Sequence, residues 1–419
     1  MFVRKYFRGK SARWAVLLGL ACYTSGCGFD LNARDSDRPT LSLDAIIDDQ
    51  STFHENGGND LLERAEFVAL GELSRSVFGS IQGGDDVDVY DFGPASPGDR
   101  LIVDMTMDAE ISGAIVLFDD TGSALLVNDH RNVYLGQRGP FVDVTFRRAT
   151  SACYVAVSAT PGYAGYGNYG LVATMQKAQP IPAPRPDEVL LVFTGGSSVR
   201  IGTRPAIPVP PFDAATIHES YSGRTDALIA GIVAAVREDY EPYDVVIHST
   251  SEGASFDGSM TRLYFGTYDA ALLGVAEGID EYNATRGQVA IVFTDTFEVF
   301  MQLVPTVDEM ALALANVASH EIGHLLGLVH TSDPDAIMDV TGTLGDLLVD
   351  QTFLVSPLNG LVFPIGGQDS IAYLLDAVGG DEALARQKST RPLQRSQGSN
   401  SRGPLARKNF LFSGCQMHE

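Results

Sequence analysis

One stretch, His320-Glu321-Ile322-Gly323-His324-Leu325-Leu326-Gly327-Leu328-Val329-His330, constrains the chain more than any other. His320 and His324 are four residues apart, so on an α-helix they project from one face, one turn apart. Both imidazoles can then reach one tetrahedral zinc ion. Gly327 falls where such a helix should stop, because glycine adopts the left-handed conformation of a helix end without strain. The chain can turn there and return His330 as a third ligand. Three neutral nitrogens leave a fourth position open for water, the pattern of a catalytic zinc site. Glu321, beside the first ligand, is placed as general base to take a proton from that water and pass it to a leaving amine.

The flanking sequence supports the helix. Thr306 followed by Glu309 is a capping box, and Met310, Leu314, Val317 and Ala318 follow at helical spacing. Five motif positions match, three of them His in a chain with 8. The other histidines (His54, His130, His218, His248, His418) have no ligand-like spacing and read as surface or locally packed residues.

Beyond His330 come Thr331-Ser-Asp-Pro334-Asp-Ala336-Ile-Met338. Residues 320–338 together resemble the metzincin zinc metalloproteases, and the Pro-x-Ala-x-Met order is most similar to the matrixin branch. The resemblance implies that Met338 is the Met-turn packed beneath the metal. It also implies a mixed twisted sheet, an active-site helix, and a small C-terminal subdomain ending in the helix at Asp369–Val378. It further implies a protein or peptide substrate lying along the sheet's edge strand, for which Gln288–Thr294 is the candidate by order. Val340 stands where astacins and serralysins place a metal-binding Tyr, which favours the matrixin branch. None of the 4 Cys lies in a matrixin-like pro-segment motif.

Around this motif, residues 187–385 alternate strand-like runs (Val189–Phe193, Asp244–His248, Arg262–Phe265, Val289–Phe293) with a helix from about Arg224 to Asp239, an α/β arrangement with a mixed sheet. Thr194–Ser198 reads as a turn. Before it, Gln179-Pro-Ile-Pro-Ala-Pro-Arg-Pro186 is an extended, stiff connector, since each proline fixes φ and removes a donor. Residues 60–178 carry short runs of period-two alternation broken by Gly, Asp and Pro, the pattern of an antiparallel β-sandwich. Asp86–Phe92, Pro97–Val103 and Gly167–Thr174 resemble the pre-peptidase C-terminal (PPC) domain found beside secreted bacterial proteases. Asp85, Asp86, Asp88 and Asp91 invite a Ca2+ reading, against which a solvent face plus a turn weighs more heavily.

The N-terminus is organised for export. Five bases up to Arg13 precede the apolar run Trp14–Ala21, which is too short to span a bilayer, and small residues follow. Residues 1–27 therefore read as a signal peptide. Ser25-Gly26-Cys27 resembles a lipobox, which would tether the chain to a membrane through a lipidated Cys27. Cys22 is the weaker alternative, and plain cleavage near Ala21 or Gly26 stays open, as does pairing of Cys153 with Cys415. Residues 28–59 read as an N-terminal segment ahead of the sandwich.

Charge closes the argument. Lys+Arg total 29 and Asp+Glu 53, a net of −24. That excludes a nucleic-acid binder, which needs a basic face. The charge is uneven: residues 30–385 hold 17 bases and 52 acids, whereas residues 386–419 hold 7 bases and 1 acid. The basic tail, 386–419, reads as disordered. The expectation is a multidomain exported protein with an all-β sandwich followed by an α/β metzincin-like zinc domain. Its function is metalloendopeptidase; hydrolysis of a cell-wall peptide or other amide, and a dormant surface-binding protein, are the alternatives. Oligomeric state is not legible.

Overall fold

The computed structural model describes residues 42–48, 51–70, 74–108, 111–129, 139–162, 165–390 and 411–413. The export signal with Cys22 and Cys27, and also His130, Cys415 and His418, lie outside the described residues. Among those described, no helix is long and apolar enough to cross a membrane.

The first part is built of strands. After α1 (Leu43–Asp48) come β1 (Phe53–His54), β2 (Glu66–Phe67), β3 (Arg75–Ile81), β4 (Val87–Asp91) and β5 (Arg100–Met107). Then follow β6 (Gly113–Phe118), β7 (Ala124–Asn128), β8 (Phe141–Thr145), β9 (Tyr154–Ala159) and β10 (Gly167–Gln176). They form two five-stranded sheets, ordered β1-β3-β10-β5-β8 and β2-β4-β9-β6-β7. Leu101, Val103, Met105 and Leu171 of one sheet share a core with Tyr90, Ile115, Leu117, Val155 and Val157 of the other. Period-two alternation is therefore the sequence trace of one face turned to a common core. Strand β6 breaks that alternation: all six of its residues are buried. Its second face, with Ala114, Val116 and Phe118, packs against Val329, Leu358, Val362 and Phe363 of the following part.

The second part starts with β11 (Asp187–Val192), the hairpin β12 (Gly196–Val199) and β13 (Ile207–Val209), α2 (Ala214–Ile217) and α3 (Thr225–Tyr240). It continues with β14 (Val245–Ser249), β15 (Thr261–Phe265), β16 (Leu272–Ala276), β17 (Val289–Val292) and α4 (Val307–Leu325). The last elements are β18 (Val355–Pro357), β19 (Gly367–Asp369), α5 (Ser370–Val378), α6 (Glu382–Ser389) and β20 (Leu411–Ser413). One six-stranded sheet runs β14-β11-β15-β17-β16-β20. Strands β14, β11, β15 and β17 are mutually parallel, while β16 is antiparallel to β17. Leu228, Ile232 and Val236 of α3 and Met310, Leu314 and Val317 of α4 cover one face of this sheet. The hairpin covers the other, with Val199 and Val209 against Val275 and Ile291.

Three expectations need correction. Gln288–Thr294 is not an edge: β17 lies between β15 and β16. The link from β15 to β16 skips one position in the sheet and β17 fills the gap, so sequence order does not give spatial order. Within Thr194–Ser198, a turn at Gly195 (φ +74°) leads directly into β12, which pairs with β13. The tail is not uniformly without structure either: α6 extends to Ser389, and residues 411–413 add a strand beside β16.

The proline stretch is bonded to both parts. Gln179 N–H donates to Gly98 O at 2.6 Å, and Arg185 N–H donates to Ala377 O at 2.8 Å. Further links join the same parts: Tyr282 Oη donates to Leu125 O (2.9 Å), the Arg147 guanidinium lies 3.9 Å over the Tyr282 ring, and Arg148 pairs with Asp376 at 3.0 Å.

Candidate metal centre

Helix α4 begins as its sequence dictates. Glu309 N–H donates to Thr306 Oγ1 (3.2 Å) and Thr306 N–H donates to Glu309 Oε2 (2.8 Å), a complete capping box. It ends in a Schellman turn: Leu328 N–H donates to Gly323 O and Gly327 N–H to His324 O, both at 2.9 Å. Gly327 holds φ +100°, and a Cβ there would stand 2.7 Å from Tyr373 Oη and 2.9 Å from Asp280 O. Left-handed backbone and close approach both require glycine here.

That turn delivers His330 to the helix face. His324 Nε2 lies 3.1 Å from His320 Nε2 and 3.1 Å from His330 Nε2. His320 Nδ1 faces Ile337 O at 2.8 Å, and His324 Nδ1 faces Leu328 O at 2.8 Å. A carbonyl only accepts, so each Nδ1 carries its proton and each Nε2 presents a lone pair. Burial holds His320 down to about 4, against the pull of the Ile337 carbonyl, and drives His324 and His330 well below the usual histidine value. All three are therefore neutral, as ligands must be. Tetrahedral zinc with Zn–N of about 2.05 Å places its nitrogens roughly 3.3 Å apart, so the donor set fits the ion. Among the described residues, this is the group of three or more His, Cys, Asp or Glu that could hold a metal.

Glu321 is fully buried, and its carboxylate makes no hydrogen bond of normal geometry, the Ala276 backbone being its nearest polar support. Burial raises its pKa well above the ordinary carboxylate range, opposed by the Ala276 backbone and the Arg204 cation. A buried acid left this way is costly unless something polar enters the site. It sits over β16 at Gly274, where a Cβ would stand 2.5 Å from Glu321 Oε1. Met338 is fully buried against α4, and a Cβ on Gly323 would stand 2.6 Å from its Sδ. Thr331 N–H donates to Met338 O at 2.8 Å, tying the methionine loop to the strap that carries His330.

Several supporting residues have no sequence signature. Val329 N–H donates to Gln368 Oε1 (2.8 Å), and Gln368 Nε2 donates back to Val329 O (3.2 Å). Asn359 N–H donates to His330 O at 3.0 Å. Asn316, one turn before His320, donates from Nδ2 to Leu347 O and Val349 O. Gly274 and Gly323 could be flagged only with their neighbours known. The aspartates read for calcium do not converge. Asp88 accepts from Tyr169 Oη (2.7 Å), Asp86 from Gln82 N–H (2.5 Å) and Asp91 from Gly93 N–H (2.7 Å).

Residues 248–346 match the family model described as Matrixin. No curated protein matches the chain. Among solved structures, the pre-peptidase C-terminal domain of a Bacillus anthracis collagenase is 21% identical, with 26% of this chain and 94% of that one covered and a TM-score of 0.21. Archaemetzincin from Methanopyrus kandleri is 14% identical, with 40% of this chain and 87% of that one covered and a TM-score of 0.22. A periplasmic lysozyme inhibitor from Aeromonas hydrophila is 15% identical, with 27% and 99% covered and a TM-score of 0.20. His320, Glu321, His324, His330 and Met338 all fall inside 248–346, which is thus a matrixin-like segment that brings together three histidines able to hold a metal ion.

Proposed function

We propose that the chain is an exported zinc-dependent endopeptidase, with His320, His324 and His330 as ligands and Glu321 as general base. The observation that carries this reading is the meeting of three neutral imidazoles beside a fully buried carboxylate. Zinc in this donor set supplies Lewis acidity toward a carbonyl and lowers the pKa of water. Glu321 takes a proton from the attacking water as the new C–O bond forms. It then gives that proton to the amine nitrogen as the C–N bond breaks. Met338 and the Thr331 contact keep the floor of the site rigid.

In the same reading, residues 1–27 direct export, with Cys27 the candidate lipid tether. Residues 60–178 are a β-sandwich accessory unit, 179–186 its connector and 187–385 the catalytic unit, with α4 the active-site helix. The test is zinc content and cleavage of an unfolded protein by the wild type and Glu321→Gln. Wild type should hold stoichiometric zinc and cut. Glu321→Gln should keep the zinc and lose about 10²–10⁴-fold in rate. Zinc-loaded wild type that cuts no peptide or protein would sink the proposal.

A further inference from the structure

We infer that residues 411–413 are a built-in occupant of the substrate edge and hold the site closed to polypeptide until they are displaced. This rests on the peptidase reading above. Without β20, strand β16 is an edge strand, whose unpaired backbone N–H and C=O groups are a template for another extended chain. In the structure, residues 411–413 take that place, pairing in parallel with β16 in the register Leu272↔Leu411 and Gly274↔Ser413.

The register places the occupant beside the chemistry. Gly274 is the β16 residue whose missing side chain makes room for the Glu321 carboxylate. The backbone at Ser413 stands directly opposite Gly274. A chain on this edge therefore passes the general base, and two chains cannot use the same edge groups at once. Occupancy by 411–413 and by substrate is mutually exclusive on backbone hydrogen bonding alone.

Composition gives the segment a second hold. Residues 391–419 carry 5 bases and 1 acid, while residues 30–385 carry 52 acids and 17 bases. Asp269 and Glu277 flank β16 on either side. Phe410-Leu411-Phe412 is an apolar run within this polar, basic stretch, so opposite net charge favours the encounter and backbone pairing at 411–413 fixes the register. Being part of the same chain raises its effective concentration at the edge.

The experiment uses the full chain, loaded with zinc, beside a Phe412→Pro variant, which removes the strand donor that faces Leu272 without touching the metal site. Amide hydrogen exchange of residues 272–276 should quicken about tenfold in the variant. A synthetic peptide of residues 405–419, added to the variant, should restore the protection; one of scrambled order should not. Cleavage of an unfolded protein should show KM about tenfold lower in the variant with kcat unchanged. The 405–419 peptide should inhibit the variant competitively, and less so at high salt. Equal exchange at 272–276 in both proteins, or a variant with unchanged KM that the peptide fails to inhibit, overturns the proposal. If neither protein cleaves anything, the peptidase reading has failed. The exchange data then still decide whether the edge is occupied.

Discussion

Gln368 holds Val329 on both sides of its backbone, accepting from the N–H at 2.8 Å and donating to the C=O at 3.2 Å. The side-chain amide acts as a short piece of partner strand for the residue just before the third ligand. Gln368→Leu keeps the volume and removes both bonds, along with the one that Gln368 Nε2 donates to Ser370 Oγ at 3.1 Å. Zinc affinity should fall about 10–100-fold, as for other outer partners of ligating residues. Competition with a chromogenic chelator measures it, and an unchanged Kd would show that the strap needs no such grip.

Gly274→Ala places a methyl 2.5 Å from Glu321 Oε1 and 2.9 Å from a Val317 methyl carbon. The carboxylate must shift while the imidazoles stay where they are. Zinc content should be unchanged and kcat/KM about 10²-fold lower. Joint loss of both would mean that the substitution disturbs the sheet rather than the base.

Asp88 gives a pH dependence whose sign is fixed. Burial pushes its carboxyl up to about 8 from an ordinary 3.8; the Tyr169 hydroxyl pulls it down, and the charge of Glu55 raises it further. The folded chain holds a proton that the unfolded chain releases. The stabilisation is complete below about pH 3.8 and is lost as pH rises through about 8. Thermal midpoints measured between those limits should converge on the wild-type acid value in Asp88→Asn, which needs no proton. A wild-type-minus-variant difference that does not grow with pH would rule out the protonated Asp88.

Phe118 is fully buried on the outer face of β6, with its ring centroid 6.1 Å from that of Phe363. Phe118→Ala should cost about 3–5 kcal/mol. Because Val329 lies in the same cluster, metal affinity should fall along with stability. Calorimetry that shows two separate transitions, only one of them shifted, would argue against a coupled interface.

The convergence of His320, His324 and His330 was legible because each of its constraints is local: spacing on α4, a cap at Thr306, a glycine where the helix must stop. The alternation in β5, β8 and β9 was legible for the same reason. The order of β16 and β17 was not, since hydrogen-bonding neighbours in a sheet need not be neighbours in the chain. Gln368 and Asn359 reach the His330 strap from 38 and 29 residues further along the chain, with no periodicity to mark them. The continuous apolar run of β6 did carry a signal, a strand covered on both faces, but nothing in it named the second cover. The prolines of 179–186 read as a spacer, whereas their backbone neighbours are bonded to both parts.

The seam of Phe118, Val116, Val329 and Phe363 bears on how such a chain can be rebuilt. Grafting a different β-domain ahead of the second part would leave Phe363 and Val329, the latter one residue from His330, facing water. A working chimera would therefore have to carry a matched surface across the fusion, and the two units should be inherited and engineered as a pair.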